Sequence, residues 1–244
     1  ETVKYFIDLD IMSPHAILAQ TLHKIAVIIH KCIQNECLHL AGTPVNPTQY
    51  GYMAPPREIP QKACIKTGVH IYYPELHINN QQALELRKRL IICFKLVPEL
   101  KSMNWEDIID QSVYKSSGLR LPHIPKLKRC QCKRMNNGDC EHGCSYGVIN
   151  ENAIYSPEWI ITGKSSKEPI VDTNGLDKIK NNLRYSLELT QIRTDDLNVN
   201  IAIKDRNTTK TDTTTLYIAL DNQQPNRKTH THSNNNVSRQ NNNF

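Results

Sequence analysis

The stretch YFIDLD, residues 5–10, places three apolar residues directly before Asp8, Leu9 and Asp10. In an extended strand, residues two positions apart point to the same face. The two aspartates are therefore expected side by side at one strand face, anchored by the apolar residues before them. Two like charges at such a separation are costly unless a cation lies between them. The stretch predicts a strand that carries a cation site.

Composition is that of an ordinary globular protein. Of the 244 residues, 39% are hydrophobic and 22% are charged, close to the average for such domains. No run approaches the roughly 20 apolar residues that a membrane-spanning helix needs, and no secretory signal opens the chain. We expect an intracellular protein without a membrane partner. The net charge of +6 tolerates a polyanionic partner but does not specify one.

Apolar periodicity predicts alternating strands and helices around the opening strand. A helix is predicted from Ser13 and Pro14 over 13–33, a strand over 63–76 and a second helix over 79–96. An apolar segment with acids, WEDIIDQSVY (105–114), and an extended segment, AIYSPEWIITG (153–163), follow. This order predicts an α+β (mixed α/β) domain around a mixed sheet.

Composition along the chain also predicts how it divides into a core, an insertion, an extension and a tail. We expect a core at 1–165 whose N-terminal part is missing, with a cysteine-rich insertion at 130–144. A poorly defined extension is expected at 166–221, with one possible helix over 175–192 and one possible strand over 213–220. Residues 222–244 are mostly polar and are predicted to be disordered.

Two further places put a polar side chain at the edge of an apolar segment. His70 follows Gly68, which permits a close backbone approach, and Asp110 closes the run WEDIID. Three carboxylates converging on one site suit two Mg²⁺ or Mn²⁺ ions, which prefer oxygen ligands. Such a pair of ions can activate a 3′-hydroxyl and stabilise a leaving pyrophosphate. Taken one by one, however, these residues are more typical of solvated strand ends and a core histidine, and their combination favours neither interpretation.

Three stretches together resemble the successive motifs of the archaeo-eukaryotic primase superfamily: residues 5–10, GVHIYYP (68–74) and IIDQSVYKSSGLRLPHIPK (108–126). The resemblance covers roughly 3–163 and is closest to the primase module of primase–helicase proteins of large DNA viruses. Herpesvirus-type primases and PrimPol are related to that module. The resemblance implies a catalytic core built on an RRM-like mixed sheet flanked by helices.

The resemblance also implies residue roles. It implies that the catalytic metals are bound by Asp8, Asp10 and Asp110. It implies that His70 contacts the phosphates of the incoming nucleotide, and that Arg120 and Lys126 contact the triphosphate or the template. A guanidinium grips phosphate bidentately, and an ammonium acts as a mobile point charge. Without the upstream acids, a solvated basic strand would be the favoured interpretation of the last two residues. Many relatives carry serine where this chain has Gly68, so a backbone N–H is expected to replace that hydroxyl.

The second predicted metal site lies in CQCKRMNNGDCEHGC, residues 130–144. Four cysteines within fifteen residues and no secretory signal favour a metal over disulfides. A zinc site needs four ligands, and the expected set is Cys130, Cys132, Cys140 and Cys144, with His142 as a possible alternative. Reduced surface thiols on a basic loop are the other interpretation. The basic residues interleaved with the cysteines would give a zinc knuckle a phosphate-binding face.

Together these features predict a DNA primase domain that joins NTPs or dNTPs on a single-stranded DNA template, at a viral replication site or in the host nucleus or cytoplasm. No GxxxxGK[ST] motif occurs, so a helicase module is expected in a missing C-terminal region or a separate chain. One alternative is a primase-polymerase that extends primers with dNTPs. Another is a non-catalytic zinc-knuckle protein that binds single strands.

Overall fold

The strand that contains YFIDLD runs over Thr2–Ser13 (β1) in the computed structural model. Its alternation is clear from Ile7 onward: Ile7, Leu9 and Ile11 are fully buried, whereas Asp8 and Asp10 are only partly so. One face of β1 therefore packs into the core and the other carries the acids. The predicted strand is confirmed, and it extends further at both ends than the motif itself.

The structure describes residues 2–115, 119, 121–124, 154–163, 172–192 and 198–204 in full, and the backbone alone at 126–128, 148–150 and 170–171. The chain divides into two units, Glu1–Thr208 and Thr209–Phe244, and every described residue lies in the first. The further described strands are β2 (Cys37–His39), β3 (Thr48–Met53), β4 (Arg57–Ile59), β5 (Cys64–Asn79), β6 (Lys126–Lys128), β7 (Val148–Asn150), β8 (Ser156–Thr162), β9 (Ile170–Val171) and β10 (Ile201–Ile203).

The main sheet has six strands in the order β1-β5-β3-β8-β9, with β4 paired to β5. Strands β2 and β10 form one separate pair, and β6 and β7 form another. Every described pairing is antiparallel, which differs from the mixed sheet that the element order predicted. The physical reason is the place of β5: β1 and β3 run in the same direction, but β5 lies between them.

The described helices are α1 (Ala19–Glu36), α2 (Asn80–Lys95), α3 (Trp105–Ile108), α4 (Thr173–Asn181) and α5 (Leu183–Thr190), with 3-10 turns at Pro60–Lys62 and Ser112–Tyr114. Helix α1 begins later than predicted, because Ser13 still belongs to β1. Helix α2 begins at a capping box formed by Asn79 and Gln82. Together with the sheet, these helices confirm an α+β fold. Among the described helices, none is both long and apolar enough to span a bilayer.

Helices cover both faces of the sheet. On the face of Ile7, Gln49 of β3 donates to the carbonyl of Ala26 in α1 (3.1 Å). Helices α1 and α2 meet at Cys32 and Cys93, whose Sγ atoms are 3.5 Å apart. On the opposite face, the hydroxyls of Tyr52 in β3 and Ser186 in α5 are 2.8 Å apart. This second face is the one that carries the acids of β1, since Tyr52 pairs with His70 and His70 pairs with Asp8.

Candidate functional site

The register between β1 and β5 positions the two aspartates. Asp8 lies opposite His70 and Asp10 lies opposite Gly68. The Oδ1 atom of Asp8 is 3.6 Å from Nε2 of His70, and Lys66 Nζ donates to Oδ2 of Asp10 in an ion pair. The side chain of Asp8 is 14% exposed and that of Asp10 is 30% exposed. Asp10 is thus the more accessible of the two to a solute.

The backbone brings Asp110 next to Asp8. Directly after α3, Ile109 forms an antiparallel bridge with Leu9, and the Asp110 amide donates to the carbonyl of Asp8 (3.0 Å). The Asp110 carboxylate accepts hydrogen bonds from the amide (2.8 Å) and the hydroxyl (2.9 Å) of Ser112. The third acid predicted from sequence therefore lies at the edge of the strand that carries the first two.

Arg87 of α2 holds the segment before Asp110. This buried side chain donates from Nε to the carbonyl of Ile109 (2.7 Å) and from Nη2 to the carbonyl of Glu106. Hydrogen bonds from a charged donor are among the stronger ones in proteins. Arg87 therefore fixes the backbone that leads from α3 to Asp110.

Asp10 and Asp110 line one open cleft of about 780 Å³. Glu106 and Asp107 also line it, and Lys62 is the basic residue among its lining. Clefts lined by one sign of charge attract ions of the opposite sign. The cleft therefore favours cations, and its size suits a ligand as large as a nucleotide.

The donor set fits hard divalent cations, although the carboxylates are engaged with protein groups. Mg²⁺ and Mn²⁺ take carboxylate oxygens, and Asp8, Asp10 and Asp110 supply them on adjoining backbone segments. Within the described part of the chain, no three acid, histidine or cysteine side chains form a ready cluster around one point. Asp10 would have to exchange Lys66 for the cation.

His70 is held among aromatic rings. It is buried, its Nδ1 lies 3.3 Å from the hydroxyl of Tyr72, and its ring stacks on Tyr155 at 3.5 Å with an interplanar angle of 18°. A Cβ added at Gly68 would lie 2.5 Å from the Tyr155 hydroxyl oxygen. Tyr155 thus occupies the space beside His70 that a side chain at position 68 would need.

A second polar contact ties the end of the third motif to the sheet. The Ser186 hydroxyl of α5 is 2.8 Å from that of Tyr52 and 3.0 Å from Nε2 of His123. The His123 amide donates to the carbonyl of Tyr155 (3.1 Å). Burial lowers the pKa of His123 below its usual value, so its imidazole is neutral at neutral pH. The segment just after Arg120 is anchored in this way.

Residues 1–123 match the family described as the C962R protein N-terminal AEP domain. The chain belongs to this family. AEP denotes the archaeo-eukaryotic primase type, so the superfamily expected from the three motifs is confirmed. Domains of this type are typically nucleotidyltransferases of the primase-polymerase kind. A search among curated proteins found no match.

Several residues predicted from the sequence lie outside what the structure describes. These are Arg120, the side chain of Lys126, and the zinc candidates Cys130, Cys132, Cys140, His142 and Cys144. Their roles stay predictions. Among the predicted residues that are described, Asp8 and Asp10 lie on β1, His70 faces Asp8 from β5, and Asp110 adjoins Asp8 from the other side of β1.

Sequence reasoning missed the partners of these residues. Lys66 alternates with Gly68 and His70 on β5, and this period-two pattern is a local signal that places it on the face of the acids. Ser112 follows Asp110 by two residues, a spacing at which a carboxylate often accepts from the backbone. Tyr155 and Ser186 come from later elements, so no local pattern connects them to the site.

Proposed function

We propose that this AEP domain is a DNA primase that joins nucleotides de novo on a single-stranded DNA template. The observation that carries the proposal is the backbone hydrogen bond between the Asp110 amide and the Asp8 carbonyl (3.0 Å). It sets Asp110, on a separate segment, beside the strand that carries Asp8 and Asp10, and Asp10 and Asp110 line an acidic cleft of about 780 Å³. Membership of the primase-type family supports nucleotidyl transfer as the chemistry.

Asp8, Asp10 and Asp110 are the residues that would hold two Mg²⁺ or Mn²⁺ ions. When bound, such ions neutralise triphosphate charge and make an attacking hydroxyl more acidic. The carboxylates keep their positions because the ladder between β1 and β5 and the bridge from Leu9 to Ile109 are rigid backbone contacts. Preorganised positions of this kind remove much of the entropic cost of aligning two reactants.

The cationic and donor groups of the chain would bind the phosphates of the nucleotide. Lys66 pairs with Asp10, and if that carboxylate held a cation, the Lys66 ammonium would be available to a phosphate oxygen. His70 is oriented by Tyr72 and Tyr155 and faces Asp8. We assign Arg120 to the triphosphate or the template on the basis of the motif that contains it.

The wider setting of this activity is part of the same proposal. Kinship with viral primase–helicase proteins suggests a role in viral DNA replication, with a helicase module in a further region or a separate chain. Kinship with herpesvirus-type primases and PrimPol stays a prediction. The position of β5 between β1 and β3, with Ile109 bridged to the far side of β1, supports an RRM-like core. The predicted zinc knuckle at 130–144 would add a basic contact to template.

Primer synthesis on single-stranded DNA tests the proposal. The assay supplies labelled NTPs or dNTPs with Mg²⁺ or Mn²⁺ and compares the parent chain with the double variant Asp8→Ala/Asp10→Ala. We expect metal-dependent products from the parent and a loss of at least about a hundredfold in the variant, the scale of removing electrostatic stabilisation from a transition state. The nucleotide that the parent prefers distinguishes a primase from a dNTP-extending primase-polymerase.

Asp177→Asn is the matched control, because Asp177 is an exposed acid of α4 that does not line the cleft. It should retain most of the parent's activity. If the parent binds template yet makes no product, and the double variant binds equally well, nucleotidyl transfer by this chain alone is excluded, and repeating the assay with the upstream residues restored separates an incomplete core from a protein that only binds. The non-catalytic single-strand binder then explains the protein better.

A further inference from the structure

The site face of β5 carries a row of hydrogen-bond donors with a gap in it. Lys66, Gly68 and His70 alternate along the strand, so all three positions face the side of Asp8 and Asp10. Lys66 pairs with Asp10, and His70 lies 3.6 Å from Asp8. Gly68, between them, contributes no side chain although it lies directly opposite Asp10.

Tyr155 fills this gap from another segment of the chain. Its ring stacks on His70 at 3.5 Å, and its hydroxyl oxygen lies where a side chain at Gly68 would begin, 2.5 Å from an added Cβ. Tyr155 is 5% exposed, so its position is set by packing. The bond from the His123 amide to its carbonyl fixes its backbone as well (3.1 Å).

The glycine at position 68 is required by space and not by backbone conformation. In the described chain, the glycine with a left-handed φ is Gly42, at 83°, whereas Gly68 lies within the regular register of β5. What a larger residue at 68 would meet is the Tyr155 hydroxyl. Gly68 and Tyr155 are therefore sterically complementary: Gly68 has no side chain, and the Tyr155 hydroxyl occupies the space that a side chain there would need.

We propose that Tyr155 is a nucleotide-positioning residue, whose hydroxyl completes a row of donors with Lys66 and His70 for the phosphates of the incoming nucleotide. This inference rests on the proposed function of the site. A phenolic hydroxyl donates well to a charged oxygen, and the stacked ring holds His70 in the orientation that faces Asp8. Tyr155 lies outside the stretch that matches the family, residues 1–123.

Four proteins test the assignment in the full chain: the parent, Tyr155→Phe, Gly68→Ser and the double variant. Tyr155→Phe keeps the ring and removes the hydroxyl. We expect KM for the incoming nucleotide to rise about tenfold, the scale of one lost hydrogen bond to a charged group, with kcat within about twofold of the parent. Tyr185→Phe, which removes a phenol from α5, is the control and should behave as the parent.

Gly68→Ser alone should also raise KM, since its Cβ collides with the Tyr155 hydroxyl. In Gly68→Ser/Tyr155→Phe the serine hydroxyl takes the vacated place, and we expect KM to return to within about threefold of the parent, a non-additive result typical of residues in contact. Parent-like KM in Tyr155→Phe would show that the ring alone matters and would overturn the assignment. A double variant no better than Tyr155→Phe would do the same.

Direct binding separates this inference from the proposed function. Calorimetric titration of the same proteins with ATP and Mg²⁺ gives a dissociation constant whether or not product forms. If the parent makes no product but binds ATP, and Tyr155→Phe weakens that binding with rescue in the double variant, transfer fails and the role of Tyr155 stands. If the parent makes primers normally and Tyr155→Phe binds ATP as the parent does, the role assigned to Tyr155 is overturned and the proposed function stands. A parent that neither reacts nor binds overturns both.

Discussion

His30 is a basic residue placed where its charged form is disfavoured. It is fully buried in α1, and its ring lies parallel to that of Tyr73 at 6.2 Å. Within the described residues, neither of its ring nitrogens has a hydrogen-bond partner. Burial lowers the pKa of His30 from 6.5 to about 4. The folded protein therefore holds this imidazole neutral at pH values where the unfolded chain would already bind a proton.

This difference predicts a loss of stability in acid. Between pH 6.5 and about 4 the unfolded state binds the additional proton, so the free energy of unfolding falls as pH falls through that window. The full effect of His30 is on the order of 3 kcal/mol. Urea unfolding at pH 7 and pH 4.5 should show a smaller pH-dependent loss for His30→Leu than for the parent. His23→Leu changes an exposed position of the same helix, and it should lose as much stability between the two pH values as the parent does. An equal loss in all three proteins would contradict the prediction.

Single residues of the site could be predicted from the sequence only where a local pattern marks them. Asp8 and Asp10 follow from period-two alternation in an apolar strand, and His70 from a similar strand. The pattern does not reveal what each side chain contacts. Tyr155 reaches His70 through tertiary packing, and no spacing near either residue indicates that they meet.

At the scale of elements, β1, β5 and α2 were predicted, whereas β3 and the pairing of the strands were not. The segments 63–76 and 79–96 correspond to β5 and α2. The mixed sheet was expected because consecutive strands joined by a helix often lie parallel and adjacent, yet β5 lies between β1 and β3. The helix expected over 175–192 is two helices, because Asn182 leaves helical geometry and caps α5 through the amide of Tyr185.

The contact between α2 and the segment before Asp110 gives a prediction at this scale. Arg87→Met removes the donors that satisfy the carbonyls of Ile109 and Glu106. Leaving the buried carbonyl of Ile109 and the partly buried contact at Glu106 without their charged donor should lower the free energy of unfolding by about 2 kcal/mol. Because the same segment carries Asp110, primer synthesis should fall more than the change in folded fraction accounts for. Urea unfolding and the primer assay measure the two effects.

Lys88→Met is the control for this change, since Lys88 is the next residue of α2 and its side chain is 71% exposed. Lys88→Met should change the free energy of unfolding by no more than about 0.5 kcal/mol. The rate of primer synthesis should change by no more than the factor that corresponds to this energy. Arg87→Met with the parent's stability and activity would show that the contacts to the two carbonyls do not hold the third acid in place.

At the scale of the whole molecule, the described part of the chain reaches beyond the predicted core at 1–165. Helix α4 buries Ile179, α5 buries Ser186 against Tyr52, and β10 buries Ile201 while pairing with β2. Local sequence patterns indicate little of this, because the segment has few apolar residues and each of its elements contributes only one or two side chains to the core. The predicted boundaries at 165 and 221 remain to be tested by truncation.

Truncation therefore has two distinct expected outcomes. A chain ending at residue 208, where the first unit ends, should unfold in urea with the midpoint of the full chain. A chain ending at 165 loses Ile179 and Ile201, and burying each of two such side chains contributes about 1.5–3 kcal/mol, so its stability should fall by at least about 3 kcal/mol. It also loses the Ser186 hydroxyl that contacts His123. If the chain ending at 165 is as stable as the one ending at 208, the later elements add nothing to the core and the boundary predicted from the sequence is right.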